Sequence, residues 1–266
     1  MTEPSSVLIM GGWAIYRGNR DSHDSWAGRE DPPGGTRIVT SLPFPSNYSI
    51  LVAGPPGVGK LEFLLGLAHG FLDAGERITF VTLDLHPDEV RARAAAAGFE
   101  LPAAEGTSFA FVDCYSSSAS ERLEPPAPKR VYPVSSFSNL EGIGMAISKA
   151  AHDLKPPVRV LFYTVSTLFL HNSPQAIAKF IQIITSRVKT NIGFIAYAMH
   201  DGVHDAHTTA LLRSLVDGVV EIRFTEDLAR EVRAHHMRGI AVGHAWTRVA
   251  SAAKVFDTAA GGGFPA

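Results

Sequence analysis

Apolar residues along this chain are grouped in short runs that alternate with longer segments of helical periodicity. Between the runs, apolar side chains recur every three or four positions, as in an amphipathic helix, for example over residues 139–154. Buried strands that alternate with helices are typical of a parallel sheet covered on both faces, so the pattern predicts an α/β fold. There are five aliphatic and β-branched runs. The first begins at Ser49, and the other four cover residues 77–83, 109–113, 159–164 and 192–198.

The two ends of the chain follow other patterns. Residues 219–224 and 231–235 alternate and predict antiparallel strands at the C-terminal edge of the sheet, and 246–250 predicts one more. An apolar patch at residues 7–10 predicts an edge strand, and the Gly-, Asp- and Ser-rich run after it predicts a flexible connection. We therefore expect an extension over residues 1–42, one domain over 43–250 and a flexible tail over 251–266.

Residues 49–63 combine a strand, a glycine-rich loop and the start of a helix. Three glycines let successive backbone N–H groups point into one concavity, and Lys60 adds a mobile positive charge at the helix N-terminus. This order predicts a phosphate-binding loop, and an ordinary tight turn between strand and helix is the alternative. The predicted nucleotide-binding residues are Gly54, Pro55, Pro56, Gly57, Val58, Gly59, Lys60, Leu61 and Glu62.

Two positions that organise Mg²⁺ in such proteins carry the wrong side chains. The residue after the loop lysine is ordinarily Ser or Thr, whose hydroxyl ligates the metal, and here it is Leu61. The fourth core strand ordinarily ends in an aspartate, and here Tyr163 stands at that place. Phosphate binding depends on backbone N–H groups and survives both changes. The sequence therefore argues against Mg²⁺ and predicts no metal ligands.

Carboxylates at other strand ends are candidates for residual chemistry. Asp84 follows the second core strand, where parallel sheets place reactive groups, and is the best candidate for a general base. The alternative for Asp84 is that it caps or turns the chain into the helix at residues 88–97. Asp113 ends the third core strand and Asp201 comes after the fifth, and either could replace the missing metal ligand.

A group of histidines follows the fifth core strand. His200, His204 and His207 lie near Asp201 and Asp205, but their spacing is loose, and the segment is predicted to be a loop. A solvated or nucleotide-facing loop is therefore preferred to a transition-metal site. A Ser- and Pro-rich stretch at residues 115–133 is predicted to be a surface excursion.

Composition narrows the class of protein. The 266 residues are 45% hydrophobic and 19% charged with a formal charge of −2, which fits a globular domain without a membrane span. The near-neutral charge argues against a nucleic-acid partner. The single cysteine, Cys114, excludes an intrachain disulfide and fits a cytoplasmic protein, as does the absence of an N-terminal leader pattern.

These landmarks, in this order, resemble the RecA superfamily and most closely the archaeal KaiC-like ATPases. The resemblance rests on the loop at residues 54–60, on the segments at 80–90, 112–115, 163–168 and 215–222, and on His236-Met-Arg-Gly239 with His244. It implies a RecA-like P-loop NTPase fold, with a mainly parallel twisted sheet, helices on both faces and antiparallel strands at the C-terminal edge. It also implies ATP or ADP as the ligand and a homo-oligomer, a ring or a dimer.

The resemblance also implies roles for single residues. Family members activate water with the first acid of a Glu-Glu pair, which matches Asp84, and reach a neighbouring subunit's γ-phosphate with a late Lys and Arg. Arg238 matches the family's late arginine and is the candidate trans-acting residue. The position of the family's late lysine is occupied by His236. Degenerate loop and metal motifs indicate a pseudo-ATPase that senses a nucleotide or binds a regulatory protein.

Two alternatives remain open from sequence. The first is an active ATPase that uses Asp84, Asp113 or Asp201 as relocated metal ligands. The second is a recombination accessory protein that acts on DNA through a filament, which the superfamily allows but the charge does not support.

Overall fold

The computed structural model describes residues 7–10, 13–16, 44–99, 101–116, 130–240, 242 and 244–249. The flexible connection expected after residue 20 and the expected tail at residues 251–266 lie outside these residues. Within them no helix is both long enough and apolar enough to cross a bilayer.

Among the residues that the structure describes, nine strands form one twisted sheet, and seven of them are parallel to one another. In chain order the strands of the protein are β1 (Val7–Met10), β2 (Trp13–Tyr16), β3 (Ser49–Gly54), β4 (Arg77–Thr82), β5 (Phe109–Asp113), β6 (Val131–Pro133), β7 (Val158–Tyr163), β8 (Gly193–His200), β9 (Gly218–Phe224), β10 (Arg230–Met237) and β11 (Thr247–Val249). The sheet order is β11, β10, β9, β3, β8, β7, β4, β5, β6, with β10 and β11 antiparallel.

Helices cover both faces of this sheet. They are α1 (Lys60–Asp73), α2 (Pro87–Ala96), α3 (Leu101–Ala104), α4 (Leu140–Leu154), α5 (Val165–Leu168), α6 (Pro174–Arg187), which continues into a π-helical turn at Val188–Ile192, and α7 (Ala206–Ser214). One apolar cluster packs α1 and α2 on the first face, and a second packs α4 and α6 on the opposite face. Strand β3 lies between them with all six residues buried, which explains its unbroken apolar run. The α/β fold predicted from the sequence is confirmed.

Three predicted elements differ from the structure. The patch at residues 7–10 is a strand, but it pairs with β2 in a separate two-stranded sheet rather than joining the edge of the main one. The predicted surface excursion ends in β6, which pairs with β5 at the sheet edge. The predicted loop after β8 contains helix α7, because the Asp205 side chain caps it by accepting from the Thr208 N–H.

Candidate functional site

Four adjacent parallel strands end together and form the floor of the candidate site. In the sheet β8 separates β3 from β7, and β4 lies on the other side of β7. Gly54 of β3 is the register partner of His200 of β8, and Tyr163 of β7 is the partner of Thr82 of β4. Ligands of open α/β sheets bind outside the carboxyl ends of the strands, and this edge carries the glycine-rich loop.

The loop has the backbone shape that its sequence predicts. Gly57 and Gly59 have φ values of 76° and 103°, which L-residues with a side chain rarely adopt. Gly59 is the N-cap of α1, and no side chain caps the first turn, so the N–H groups of that turn remain available to an anion. Gly54 is needed for space, because a Cβ atom there would lie 2.4 Å from the backbone oxygen of Ile222.

The remaining loop residues divide between the core and the surface. Val58 is fully buried under the loop, whereas Pro56 is exposed. Glu62, in the first turn of α1, places a carboxylate oxygen beside Gly59. The loop is thus anchored from below by an apolar side chain and open above.

Lys60 is folded back onto the loop. Its ammonium donates hydrogen bonds to the backbone oxygens of Gly54, at 2.7 Å, and Pro55, at 2.6 Å, and the residue is only 3% exposed. Burial lowers the pKa of this ammonium to about 8, although the carboxylates of Asp201, Asp84 and Glu62 act in the opposite direction. The lysine is therefore a buried cation at the place where the resemblance puts the terminal phosphates.

Leu61 and Tyr163, at the two positions that ordinarily organise Mg²⁺, both have apolar surroundings. Leu61 is 2% exposed and packs in the apolar cluster around α1, and Tyr163 packs against the same cluster. Burial, followed by the carboxylates of Asp84 and Glu62, raises the pKa of Tyr163 to about 12, so its phenol is neutral. An alkyl group and a neutral phenol are poor ligands for a hard cation. The residues present do not fit Mg²⁺ at the positions that the resemblance implies.

Asp84 faces the crevice rather than the helix that follows it. Its carboxylate accepts hydrogen bonds from the hydroxyls of Thr164, at 3.1 Å, and Thr167, and lies 3.7 Å from Nε2 of His200. The cap of α2 is His86, whose Nδ1 accepts from the Asp88 N–H, so the prediction that Asp84 caps this helix is wrong. The general-base role of Asp84 stays a prediction.

The other two candidate acids lie in different surroundings. The Asp201 N–H donates to the Gly54 oxygen, and burial raises the pKa of its half-buried carboxyl against the effect of Arg213 at 3.7 Å. Asp113 is 1% exposed and accepts from the N–H groups of Tyr115 and Ser116 and from the Ser116 hydroxyl. These hydrogen bonds close the turn after β5. Strands β8, β7 and β4 lie between Asp113 and the loop, so Asp113 is too far away to replace a metal ligand there.

The histidines do not converge on one point. His204 Nε2 lies 2.9 Å from the Ser166 hydroxyl, which also accepts from the His200 N–H, and burial and the neighbouring His200 lower the pKa of His204. His207 lies on α7 and is exposed. In the part of the chain that the structure describes, no group of three or more His, Cys, Asp or Glu side chains could hold a metal ion.

Arg238 lies at the opposite end of the sheet from the loop. Its guanidinium is 3.1 Å from the carboxylate of Asp217, which also accepts from the Ser49 N–H and hydroxyl and pairs with Lys189. Burial of Asp217 would raise its pKa, but the hydrogen bonds from Lys189 and Ser49 outweigh it and hold that pKa below its usual range. Arg238 therefore does not reach the loop of its own chain, and its trans-acting role stays a prediction.

The structure adds one residue that sequence analysis missed. Arg230, the first residue of β10, lies against Gly59: its Nε would be 3.5 Å from a Cβ atom there. That Nε is buried and has no acceptor among the described residues. The only sequence signal was its place at the start of an alternating strand, which does not show that the β9–β10 hairpin passes the loop.

A structural comparison identifies the fold. A KaiC-like protein from Pyrococcus horikoshii has a similar structure, with a TM-score of 0.60 and 19% identity over 77% of this chain and 85% of that chain. This likeness shows the fold, so the chain has the KaiC-like, RecA-type architecture that the sequence resemblance implied.

Three curated relatives align with only part of this chain. UPF0273 proteins from Thermotoga maritima, Pyrococcus horikoshii and Aeropyrum pernix are 25%, 29% and 29% identical over 167, 167 and 170 residues. The alignments cover 59% of this chain and 66%, 65% and 64% of the three relatives, so the chain spans just under two thirds of their length. A family model of unknown function, DUF7504, matches residues 48–222, from the first core strand to the middle of β9. Since this match covers more than half of the chain, the protein belongs to the DUF7504 family.

Proposed function

We propose that this protein binds the phosphates of ATP or ADP at residues 54–60 without metal-dependent hydrolysis, and that it acts as a nucleotide-sensing module for a protein partner. One contrast supports the proposal. The loop has its two left-handed glycines, an uncapped helix N-terminus and a buried lysine, whereas both metal positions carry side chains that do not bind Mg²⁺. Binding and turnover have separate structural requirements, and these features support binding alone.

The loss of hydrolysis follows from the number of missing contacts. One preorganised contact to a transition state contributes about 3 kcal/mol, which is roughly a hundredfold in rate. Leu61 and Tyr163 remove two such contacts, and the acid that the resemblance puts at residue 84 is engaged by two threonine hydroxyls. We expect turnover close to the uncatalysed rate.

Calorimetric titration with ATP and ADP, in Mg²⁺ and in EDTA, tests the proposal. Lys60→Ala should lower the affinity about tenfold or more, since hydrogen bonds to charged groups contribute about 1.5–3 kcal/mol. Lys60→Met keeps the buried apolar stem and guards against a folding defect. Lys179→Ala, an exposed lysine of α6, is the matched control and should bind like the wild type.

Three results are possible, and two of them overturn the proposal. Binding that depends on Lys60 and is unchanged by EDTA supports it. Steady, Mg²⁺-dependent hydrolysis that Lys60→Ala abolishes overturns it in favour of an active ATPase. No binding to the folded wild type means that the loop is only a turn between strand and helix.

The active ATPase is kept as a second candidate because of one observation. The Asp201 N–H donates to the Gly54 oxygen, and the Asp84 carboxylate lies 3.7 Å from Nε2 of His200, so two acids lie at the strand ends beside the loop. If hydrolysis is found, Asp84→Asn and Asp201→Asn should each abolish it, whereas Asp113→Asn should act only through stability.

A further inference from the structure

Phe224 and Arg230 form a cross-strand pair beside the phosphate loop. They are direct register partners on β9 and β10, with the guanidinium carbon 5.9 Å from the centre of the ring. Side chains alternate along a strand, and Val220 and Ile222, in the same alternation as Phe224, pack in the apolar cluster around α1. On β10, Val232 and Ala234 do the same for Arg230. The pair therefore continues the face of the sheet on which α1 begins.

The level of the pair along the strands places it just beyond the loop. Ala53 is the register partner of Glu221, so Phe224 extends three residues past that point, beyond Gly54. Arg230 spans the gap, because its Cδ and Nε lie next to Gly59 while its guanidinium lies over the ring. Loop, arginine and ring are thus in one continuous contact.

Arg230 also differs from its neighbours in charge pairing. Its Nε is buried without an acceptor, and none of the ion pairs among the described residues includes Arg230, although a Glu62 carboxylate oxygen lies beside the same Gly59. The other arginines of β9, β10 and β11, and Arg238 after β10, each have an acidic partner: Arg233 has Glu221, Arg223 has Glu231, Arg238 has Asp217 and Arg248 has Asp227. An arginine that forms no ion pair among the described residues, next to the glycine-rich loop, is suited to an anionic ligand.

Phe224 is exposed, although the first five residues of the strand that it ends are buried. The residue is 38% exposed, whereas Val220 and Ile222 before it are 5% and 6% exposed. An aromatic ring with a free face stacks on the π-face of a nucleobase, and arginine adds a cation–π contact to such a pair.

We propose that the ligand of the loop is a nucleoside polyphosphate whose base stacks on Phe224, with Arg230 between the ring and the phosphates. This proposal rests on the proposed function, because it takes the phosphates to lie in the loop. It adds a base contact: through Phe224 the site would distinguish a nucleotide from an inorganic polyphosphate.

The test compares ATP with inorganic tripolyphosphate in calorimetric titrations of the full chain in EDTA. Phe224→Leu should weaken ATP binding about five- to hundredfold, the range of one lost base stack, and leave tripolyphosphate binding unchanged. Phe224→Tyr keeps the ring and should bind ATP like the wild type. Leu228→Ala removes another exposed apolar side chain of the same hairpin and is the matched control.

The outcomes distinguish a failure of the base contact from a failure of phosphate binding at the loop. If wild type binds ATP and tripolyphosphate equally well and Phe224→Leu changes neither, phosphate binding stands and the base contact is wrong. If the folded wild type binds neither compound, the phosphate site itself is wrong. If Phe224→Leu weakens both equally, the ring supports the loop rather than a base, which also overturns the proposal.

Discussion

Lys60 is the residue on which the proposed chemistry depends, and its surroundings make it sensitive to pH. Its ammonium is buried against two backbone oxygens, and burial lowers its pKa to about 8. Phosphate binds the protonated form, because the neutral amine carries no charge to pair with it. Affinity should therefore be full below this pKa and fall as the pH rises through it.

We expect the affinity for ATP to fall about tenfold between roughly pH 7.5 and 9.5, a window above the second phosphate ionisation near pH 6. Lys60→Arg keeps a charge throughout, since arginine has a pKa above about 12, and its affinity should not vary with pH. Titrations at several pH values measure both. A profile that is flat in wild type and variant alike would show that the ammonium does not contact the phosphates.

Leu61 cannot ligate a metal ion, and its side chain packs in the apolar core instead. It is 2% exposed among the side chains of α1, where the family resemblance implies a hydroxyl. We expect Leu61→Thr to lower the free energy of unfolding by about 2–3 kcal/mol, because it leaves a cavity and buries a hydroxyl. Mg²⁺ should still leave nucleotide binding unchanged, since Tyr163 is also unsuited to it.

Urea unfolding and titration with and without Mg²⁺ check this pair of expectations. Leu61→Met keeps the volume and should cost less than about 1.5 kcal/mol. Mg²⁺-dependent binding in Leu61→Thr alone would mean that the second metal position is already adequate.

At the scale of elements, the loop owes its shape to two different demands on glycine. Gly54 is required because the β9 backbone passes close to it, and Gly57 because its φ is 76° in open space. We expect Gly54→Ala to destabilise the protein by more than about 3 kcal/mol or to prevent folding, because backbone cannot move aside cheaply. Gly57→Ala should cost about 1–2 kcal/mol, the strain of a left-handed residue. Urea unfolding compares them, and equal costs would contradict the close approach.

The sequence predicted most of the elements that carry the site, for a physical reason. Buried parallel strands such as β3 and β8 read as unbroken apolar runs, and α4 and α6 have clear helical spacing. The glycine loop was predicted because its conformation needs specific residues. Helix α7 was missed because its first turn is polar, although Asp205 and Thr208 form a cap that could have identified it.

Contacts between distant strands could not be predicted. β6 has only three residues, too few for a pattern, and it follows a Ser- and Pro-rich stretch. Arg230 reaches Gly59 because β9 pairs with β3, a pairing between residues more than 160 positions apart in the chain. The hydrogen bond from the Thr164 hydroxyl to the Asp84 carboxylate likewise depends on β4 lying beside β7. Periodicity reports which residues are buried, and not which strands are neighbours.

At the scale of the whole molecule, the two ends of the parallel strands carry different ionic groups. The carboxyl ends hold the loop, Lys60 and Asp84. The amino ends hold Asp217, with Ser49, Lys189 and Arg238 around it. Ser49 and Gly54 are the first and last residues of β3, so about 16 Å of strand separates the two groups at about 3.3 Å per residue.

This separation makes a prediction about Arg238, which the family resemblance marks as acting on a neighbouring subunit. In a dilute monomer we expect Arg238→Ala to leave ATP affinity unchanged, because the arginine cannot reach the loop of its own chain. Its cost in stability should be at most about 1 kcal/mol, since its side chain is 66% exposed and Lys189 still pairs with Asp217. Titration at concentrations where sedimentation shows a monomer, with urea unfolding alongside, measures both quantities. A weaker ATP affinity in the monomer would mean that the two ends of the sheet are coupled, whereas a weaker affinity only at concentrations that form oligomers would give Arg238 its role in trans.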